Sequence, residues 1–227
     1  MVLTLYGSAM STARVHVVLL ELALEYKHIP IDISKGEQKH PSYMKMQPFG
    51  KVPVLDDDGL VIYESRAICR YLARKYQSGT KFMPDDDDFE AYAKFEQAAS
   101  IEISYVASAA ECIGTEMVIK KSSPPLWLFP PFPSSLFPLP PLSINSHAHR
   151  YQNLGPPDLQ RVAQAEADLR AVFKVYEDIL GKQRYLAGDE ISLVDLFHLP
   201  HLEALWVGGY EGIWGGVWEG GGVVGEG

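Results

Sequence analysis

Two groups of residues in the first third of the chain could do chemistry together. One is Ser8, Ser11 and Thr12, hydroxyls clustered in a loop and helix start after a short apolar run. The other is the stretch Pro48-Phe49-Gly50-Lys51-Val52-Pro53-Val54-Leu55, then Asp57-Asp58-Gly59, then Leu60-Val61-Ile62-Tyr63-Glu64-Ser65-Arg66-Ala67-Ile68. It reads as strand, hairpin, strand, helix. Val52 to Leu55 and Leu60 to Tyr63 are rich in Val and Ile, and Gly59 supplies positive φ in the turn between them. Pro53 forfeits a backbone donor, so it belongs at an edge, a strand start or a bulge. Ser65 is a good N-cap for the helix that follows, whose first N–H groups lack intrahelical acceptors. An edge strand and a helix N-terminus about ten residues apart can hold an extended peptide by strand addition and its carboxylate at the helix end. Taken singly, each residue has a plainer reading. Ser11 is then an N-cap, Glu64 a surface residue and Lys39 a solvated loop lysine.

The elements that must position these groups follow from periodicity. Val2 to Tyr6 is a short apolar strand and Gly7 to Ser11 a loop. The next helix, around Thr12 to Glu25, carries Val15, Val18, Leu19 and Leu22 on one face. His16 on that helix reads as half-exposed. His28 to Ile33 alternates and predicts a second strand. Gly36 to Met46 is irregular, with a short helix interrupted by Pro41. Helix 65–76 packs Ile68, Tyr71 and Leu72 inward and stops near Gly79. The order β-α-β, then β-β-α, is the thioredoxin-like pattern without a redox dithiol.

The Val-Pro, turn, Glu-Ser-Arg-Ala-Ile arrangement resembles the glutathione-binding half of the glutathione transferases, and its wording is most similar to class phi of plants and fungi. The resemblance implies a thioredoxin-like α/β domain followed by an all-helical C-terminal domain. It makes Ser11 the catalytic residue, donating a hydrogen bond to the glutathione sulfur. A free thiol has a pKa of about 8.5, so a donor held against sulfur is needed to stabilise the thiolate at neutral pH. Thr12 is the alternative hydroxyl, Ser8 a weaker one, and Tyr6 lies on the strand where other classes place a catalytic tyrosine. The resemblance further implies that Val52 pairs with the cysteinyl backbone beside a cis Pro53. Glu64 and Ser65 hold the γ-glutamyl ammonium and carboxylate, and Lys39 reaches the glycyl carboxylate. Gln38 stands where many relatives have histidine, and Lys51 where many have glutamine. The expected activity is conjugation of glutathione, a co-substrate, to hydrophobic electrophiles, with peroxide reduction as a further activity and no cofactor. The electrophile would lie between the Ser11 loop and helices 89–119. The family forms homodimers, for which Phe49 and Arg66 are interface candidates. A binding protein for glutathione or hydrophobic ligands is the alternative.

The second domain is expected over 86–206. Residues 80–88 form a linker whose aspartates 85 to 88 read as a solvated acidic cap rather than a metal site. Phe89 to about Ile119 is helical, with Tyr92, Phe95, Ala99, Val106 and Ala110 near one face. Asp158 to Leu180 is the strongest helix, with Val162, Ala165, Leu169, Val172, Phe173, Tyr176 and Leu180 as its stripe. Ser192 and Asp195 form a capping box with Asp in place of Glu. Two segments break the pattern: a proline-rich run within 122–150 and a glycine-rich tail over 207–227. Joining Lys121 to Tyr151 gives a smooth helix–loop–helix sequence. Both segments therefore read as translated non-coding sequence, a retained intron and a read-through, giving a non-functional truncated transferase if the core is not completed. A proline-rich recognition loop is the rival reading.

Composition limits the remaining choices. The 227 residues suit two ordinary domains. A net charge of −9 argues against nucleic acid and anionic membrane surfaces. Cys69 and Cys112 are far apart and fit a reducing, cytoplasmic setting, where they serve as small core hydrophobes. No signal-peptide pattern opens the chain, and the one long apolar run is broken by prolines.

Overall fold

The computed structural model describes residues 3–8, 10–77, 79, 81–120 and 155–214. They fall into two compact units, one up to residue 80, the other from residue 81 and again from Pro156. The proline-rich segment and the end of the glycine-rich tail lie outside the described residues.

The first unit is a four-stranded mixed sheet with helices. Strand β1 (Leu3–Tyr6) leads into α1 (Met10–Glu21), then β2 (Tyr26–Ile29), a one-turn α2 (Pro41–Met44), β3 (Val54–Asp57), β4 (Leu60–Tyr63) and α3 (Ser65–Lys75). The sheet order is β2-β1-β3-β4, with β1 parallel to β2 and antiparallel to β3. Leu3 and Leu5 of β1, Val15, Val18 and Leu19 of α1, Leu22 in the turn just after it, and Ile68 and Leu72 of α3 are buried, the stripe that the helix period predicted. The β3–β4 hairpin turns through Asp58 and Gly59, at φ 55° and 95°, the two left-handed positions of a type I′ turn.

Several expectations need correction. β2 ends at Ile29 because Pro30 has no N–H for the ladder, so Ile31 and Ile33 are buried from a loop rather than from a strand. Pro41 starts α2 at a position where no donor is needed, instead of interrupting it. β3 is paired on both sides, so the edge available to a peptide is not β3 but Val52, which lies ahead of both ladders. The N-cap of α3 is Glu64, and Ser65 is the first helical residue. His16 is buried rather than half-exposed, with Nδ1 2.7 Å from the Tyr26 hydroxyl.

The second unit is helical. Helix α4 (Phe89–Ile101) and α5 (Ser108–Ile113) are joined by a π-helical turn over Glu102–Ala107, and a second such turn spans Gly114–Ile119. Helix α6 (Leu159–Leu180) buries Val162, Ala165, Leu169, Phe173 and Tyr176, while Val172 and Leu180 are only half-buried. Helix α7 (Leu193–Val207) is followed by a 3-10 turn over Glu211–Trp214 with Ile213 buried, so described structure continues beyond residue 206. Phe95, Ala99, Val106 and Ala110 are buried as expected, but Tyr92 is exposed. Cys112 is half-buried, unlike Cys69, which is fully buried. Asp88 caps α4 through Ala91 N and Asp85 pairs with Lys81, so both work at the helix entry. No helix among the described residues is long and apolar enough to cross a membrane.

Candidate active site

Ser11 lies in the first turn of α1, not at its cap. Its hydroxyl turns away from its own helix and donates to the Val52 carbonyl at 3.1 Å. The Val52–Pro53 bond is cis, as the resemblance implied. Around this contact the Thr12 and Ser8 hydroxyls are committed. Thr12 is buried and donates to the Ser8 carbonyl at 3.0 Å, and the Ser8 hydroxyl donates to the Ile31 carbonyl. His28 Nε2 lies 2.8 Å from the Gly7 carbonyl, and since a carbonyl only accepts, that nitrogen carries the proton. Thus Gly7, Ser8 and the first turn of α1 are pinned on several sides, and of Ser8, Ser11 and Thr12 only the Ser11 hydroxyl reaches Val52.

Opposite stands the N-terminus of α3. Glu64 is exposed and held at φ 73°, ψ 110°, a conformation that costs a non-glycine residue about 1–3 kcal/mol. Such strain persists where the surroundings fix it. Here it turns the chain from β4 into α3. Ser65 is buried, and its Oγ accepts from Arg14 Nη1 at 2.9 Å. Helix α1 thereby supplies one side chain to Val52 and, three residues on, another to Ser65.

The third side is the loop before β3. Gln47 is buried and its Oε1 accepts from Lys51 N at 3.2 Å, while the Tyr43 hydroxyl donates to the Lys51 carbonyl at 2.8 Å. Burial pushes the Tyr43 phenol up, so it stays a donor at any ordinary pH. Lys39 Nζ donates to the Phe49 carbonyl at 2.8 Å and lies across Gly50. At φ 57°, and with a Cβ placed 2.8 Å from the Gln38 carbonyl oxygen, any side chain at that position is strained and glycine is favoured. Gln38 faces inward. Its Nε2 donates to the Ile33 carbonyl at 3.4 Å and its Oε1 has no hydrogen-bond partner among the described residues. The Lys51 side chain is exposed.

The structure therefore gathers Ser11, Val52, Pro53, Glu64 and Ser65 within one unit, with Gln38 and Lys39 in the 3-10 turn before α2 and Lys51 on the loop that precedes β3. Arg14, Tyr43, Gln47 and His28 support them and were missed as site residues. For Arg14 the signal was present: a charged residue beside Val15 in an otherwise apolar stripe. Cys69 donates weakly to the Arg14 carbonyl at 3.6 Å, and burial pushes its thiol up to about 12. It is therefore an inert core group, and the redox cysteine of the thioredoxin pattern has no counterpart in loop 7–12.

A thioredoxin-like unit with a cis-proline loop facing a helix N-terminus, followed by an all-helical unit, places the chain among the two-domain thioredoxin-fold proteins. Comparison with known proteins gives the family. Residues 1–74 match the family model for the glutathione S-transferase N-terminal domain, and residues 139–212 match that for the C-terminal domain. The chain is 59% identical over 212 residues to glutathione S-transferase hmp2 of Hypomyces subiculosus, covering 93% of this chain and 86% of that protein. It is 39% identical over 202 residues to glutathione S-transferase PM239X14 of Arabidopsis thaliana, covering 87% and 78%. Among solved structures, glutathione S-transferase I from maize in complex with an atrazine glutathione conjugate superposes with a TM-score of 0.76 at 26% identity, covering 97% of this chain and 92% of that one. The chain belongs to the glutathione S-transferase family, and plant phi (F-class) proteins are among its relatives and structural neighbours.

Proposed function

We propose that this protein conjugates glutathione to hydrophobic electrophiles, with Ser11 activating the thiol. The observation that carries the reading is the Ser11 hydroxyl, turned out of its own helix onto the Val52 carbonyl. Val52, ahead of the β3 ladders, is the backbone position to which the cysteinyl residue of an extended tripeptide can add. A cysteine paired there brings its sulfur to Ser11. The hydroxyl then donates to sulfur, the thiol proton leaves to solvent, and the thiolate attacks the electrophilic carbon. A C–S bond forms and the leaving group departs with its electron pair. Each pKa unit by which the thiol is lowered corresponds to about 1.4 kcal/mol, within reach of one or two hydrogen bonds.

In this pose Glu64 and Ser65 hold the γ-glutamyl end. Lys39 and Lys51 serve the glycyl carboxylate, Lys39 after leaving the Phe49 carbonyl, and Gln38 closes the same end. Thr12 is a structural hydroxyl, buried and donating back to the Ser8 carbonyl, whereas the part-buried Ser11 hydroxyl gives up the Val52 carbonyl to the cysteinyl N–H and turns its proton to sulfur. The same thiolate can reduce organic peroxides, two glutathione molecules becoming one disulfide. Glutathione is the co-substrate and no resident cofactor takes part. Two unpaired cysteines support a cytoplasmic setting. Phe49, exposed and edge-on to Tyr63 at 6.2 Å, supports a homodimer contact, to be checked by light scattering of the Phe49→Ala variant.

The test is conjugation of a chloronitroarene by purified protein. Ser11→Ala should lower kcat by about tenfold or more while glutathione still binds. An unchanged rate in Ser11→Ala, or a wild type that binds without turnover, would overturn the assignment.

A further inference from the structure

Arg14 is a buried guanidinium with no place in the reaction as described. Only 3% of it is exposed, and it reaches from α1 to the start of α3, where Nη1 lies 2.9 Å from Ser65 Oγ. The direction of that hydrogen bond is fixed by chemistry. Guanidinium carries donors only, so Ser65 Oγ must accept. A serine hydroxyl has one proton. With Arg14 occupying a lone pair, that proton is directed elsewhere, as a donor. The residue bearing it opens α3, whose dipole already favours an anion, and the Arg14 charge adds to the same field.

We infer that Arg14 is a positioning residue for the γ-glutamyl end of glutathione: it sets Ser65 as a donor to the α-carboxylate. The inference rests on the reading of the first unit as a glutathione site. Because Ser11 and Arg14 are three residues apart on α1, one helix then orders both the thiol end and the carboxylate end of the ligand. Arg14 touches neither substrate nor the reacting sulfur. Its effect belongs on binding, not on the chemical step.

The experiment compares two ligands by calorimetry: glutathione, and its analogue with 4-aminobutanoyl in place of γ-glutamyl, which lacks the α-carboxylate. Wild type should prefer glutathione. Arg14→Met should weaken glutathione about tenfold or more, raise its KM by a similar factor and leave kcat at saturation within about threefold, as loss of a charge-assisted contact requires. The same variant should bind the analogue as wild type does. Ser65→Ala should reproduce the pattern, and the double variant should add little to either. Should Arg14→Met fail to fold, Arg14→Lys carries the measurement with the same two ligands, since its single ammonium cannot reproduce the fixed fork of the guanidinium. Equal weakening toward both ligands, or full additivity with Ser65→Ala, would overturn the role of Arg14. A wild type that does not distinguish the two ligands would instead overturn the glutathione site itself.

Discussion

Glu64 sets local backbone preference against the ligand contact proposed for it. Its left-handed backbone suits glycine, yet the chain keeps a carboxylate there. Glu64→Gly and Glu64→Ala should therefore both lose glutathione affinity, because both remove the charge that would meet the γ-glutamyl ammonium. They should differ in stability. Ala keeps the strain, whereas Gly relieves it at the expense of a freer unfolded chain, so Glu64→Gly should be at least as stable as Glu64→Ala. Urea unfolding of the pair checks the order. The reverse order would mean that φ 73° is not strained in this setting. At the same scale Asp57 gathers the hydroxyls of Tyr71 and Tyr76 and the Lys75 amine on one oxygen. Burial alone would raise its pKa, but these donors outweigh it and the carboxyl lies below its usual range.

Among the elements, α7 shows how far a sequence signature reaches. Ser192 and Asp195 were legible as a capping box, and the Ser192 N–H does reach Asp195 Oδ2 at 2.8 Å. The other oxygen was not legible: Asp195 Oδ1 also accepts from Leu186 N at 3.0 Å, tying a preceding turn to the helix. Asp195→Ala removes a cap and strands a buried N–H, for a loss of about 2–4 kcal/mol in urea unfolding. A loss under about 1 kcal/mol would show that water takes over both bonds. The same division holds in the first unit. Ser11 and the cis Val-Pro pair were legible only through the family resemblance, whereas the hairpin and the α1 and α3 stripes could be read because period and turn chemistry are local. The Arg14–Ser65 bond, the Tyr43 and Gln47 supports of Lys51, and the cap position at Glu64 could not. Each depends on side chains from separate elements meeting, or on a φ that no local preference announces. His16 was misplaced for a related reason. Its neighbours on α1 and β2 bury it, and a ring so placed bonds to Tyr26 instead of facing water.

Among the described residues, buried His16 and His198 and half-buried Glu203 tie stability to acid and base. Burial, with His28 nearby, lowers His16 from 6.5 to about 4. The unfolded chain therefore binds that proton first, and the His16 contribution, complete above pH 6.5, is lost as pH falls toward 4. His198, fully buried between Tyr176 and the Val194 carbonyl, is also lowered by burial and has the same sign. Glu203 runs the other way. Burial raises it from 4.5 to about 7, so its contribution is complete below 4.5 and lost as pH rises through 7. Glu203→Gln should therefore raise the Tm at pH 8 and leave it unchanged at pH 4. Equal shifts at both would show that the carboxyl is already solvated. The two π-helical turns at 102–107 and 114–119 have a consequence for ancestry. A π-turn holds one residue more than the α-turn it replaces, so dropping a single codon there returns the helix to regular winding while both flanks keep their phase. Buried Glu102 lies in the first and buried Glu116 in the second, so a one-residue change of length there falls beside a packed carboxylate while both flanks keep their phase.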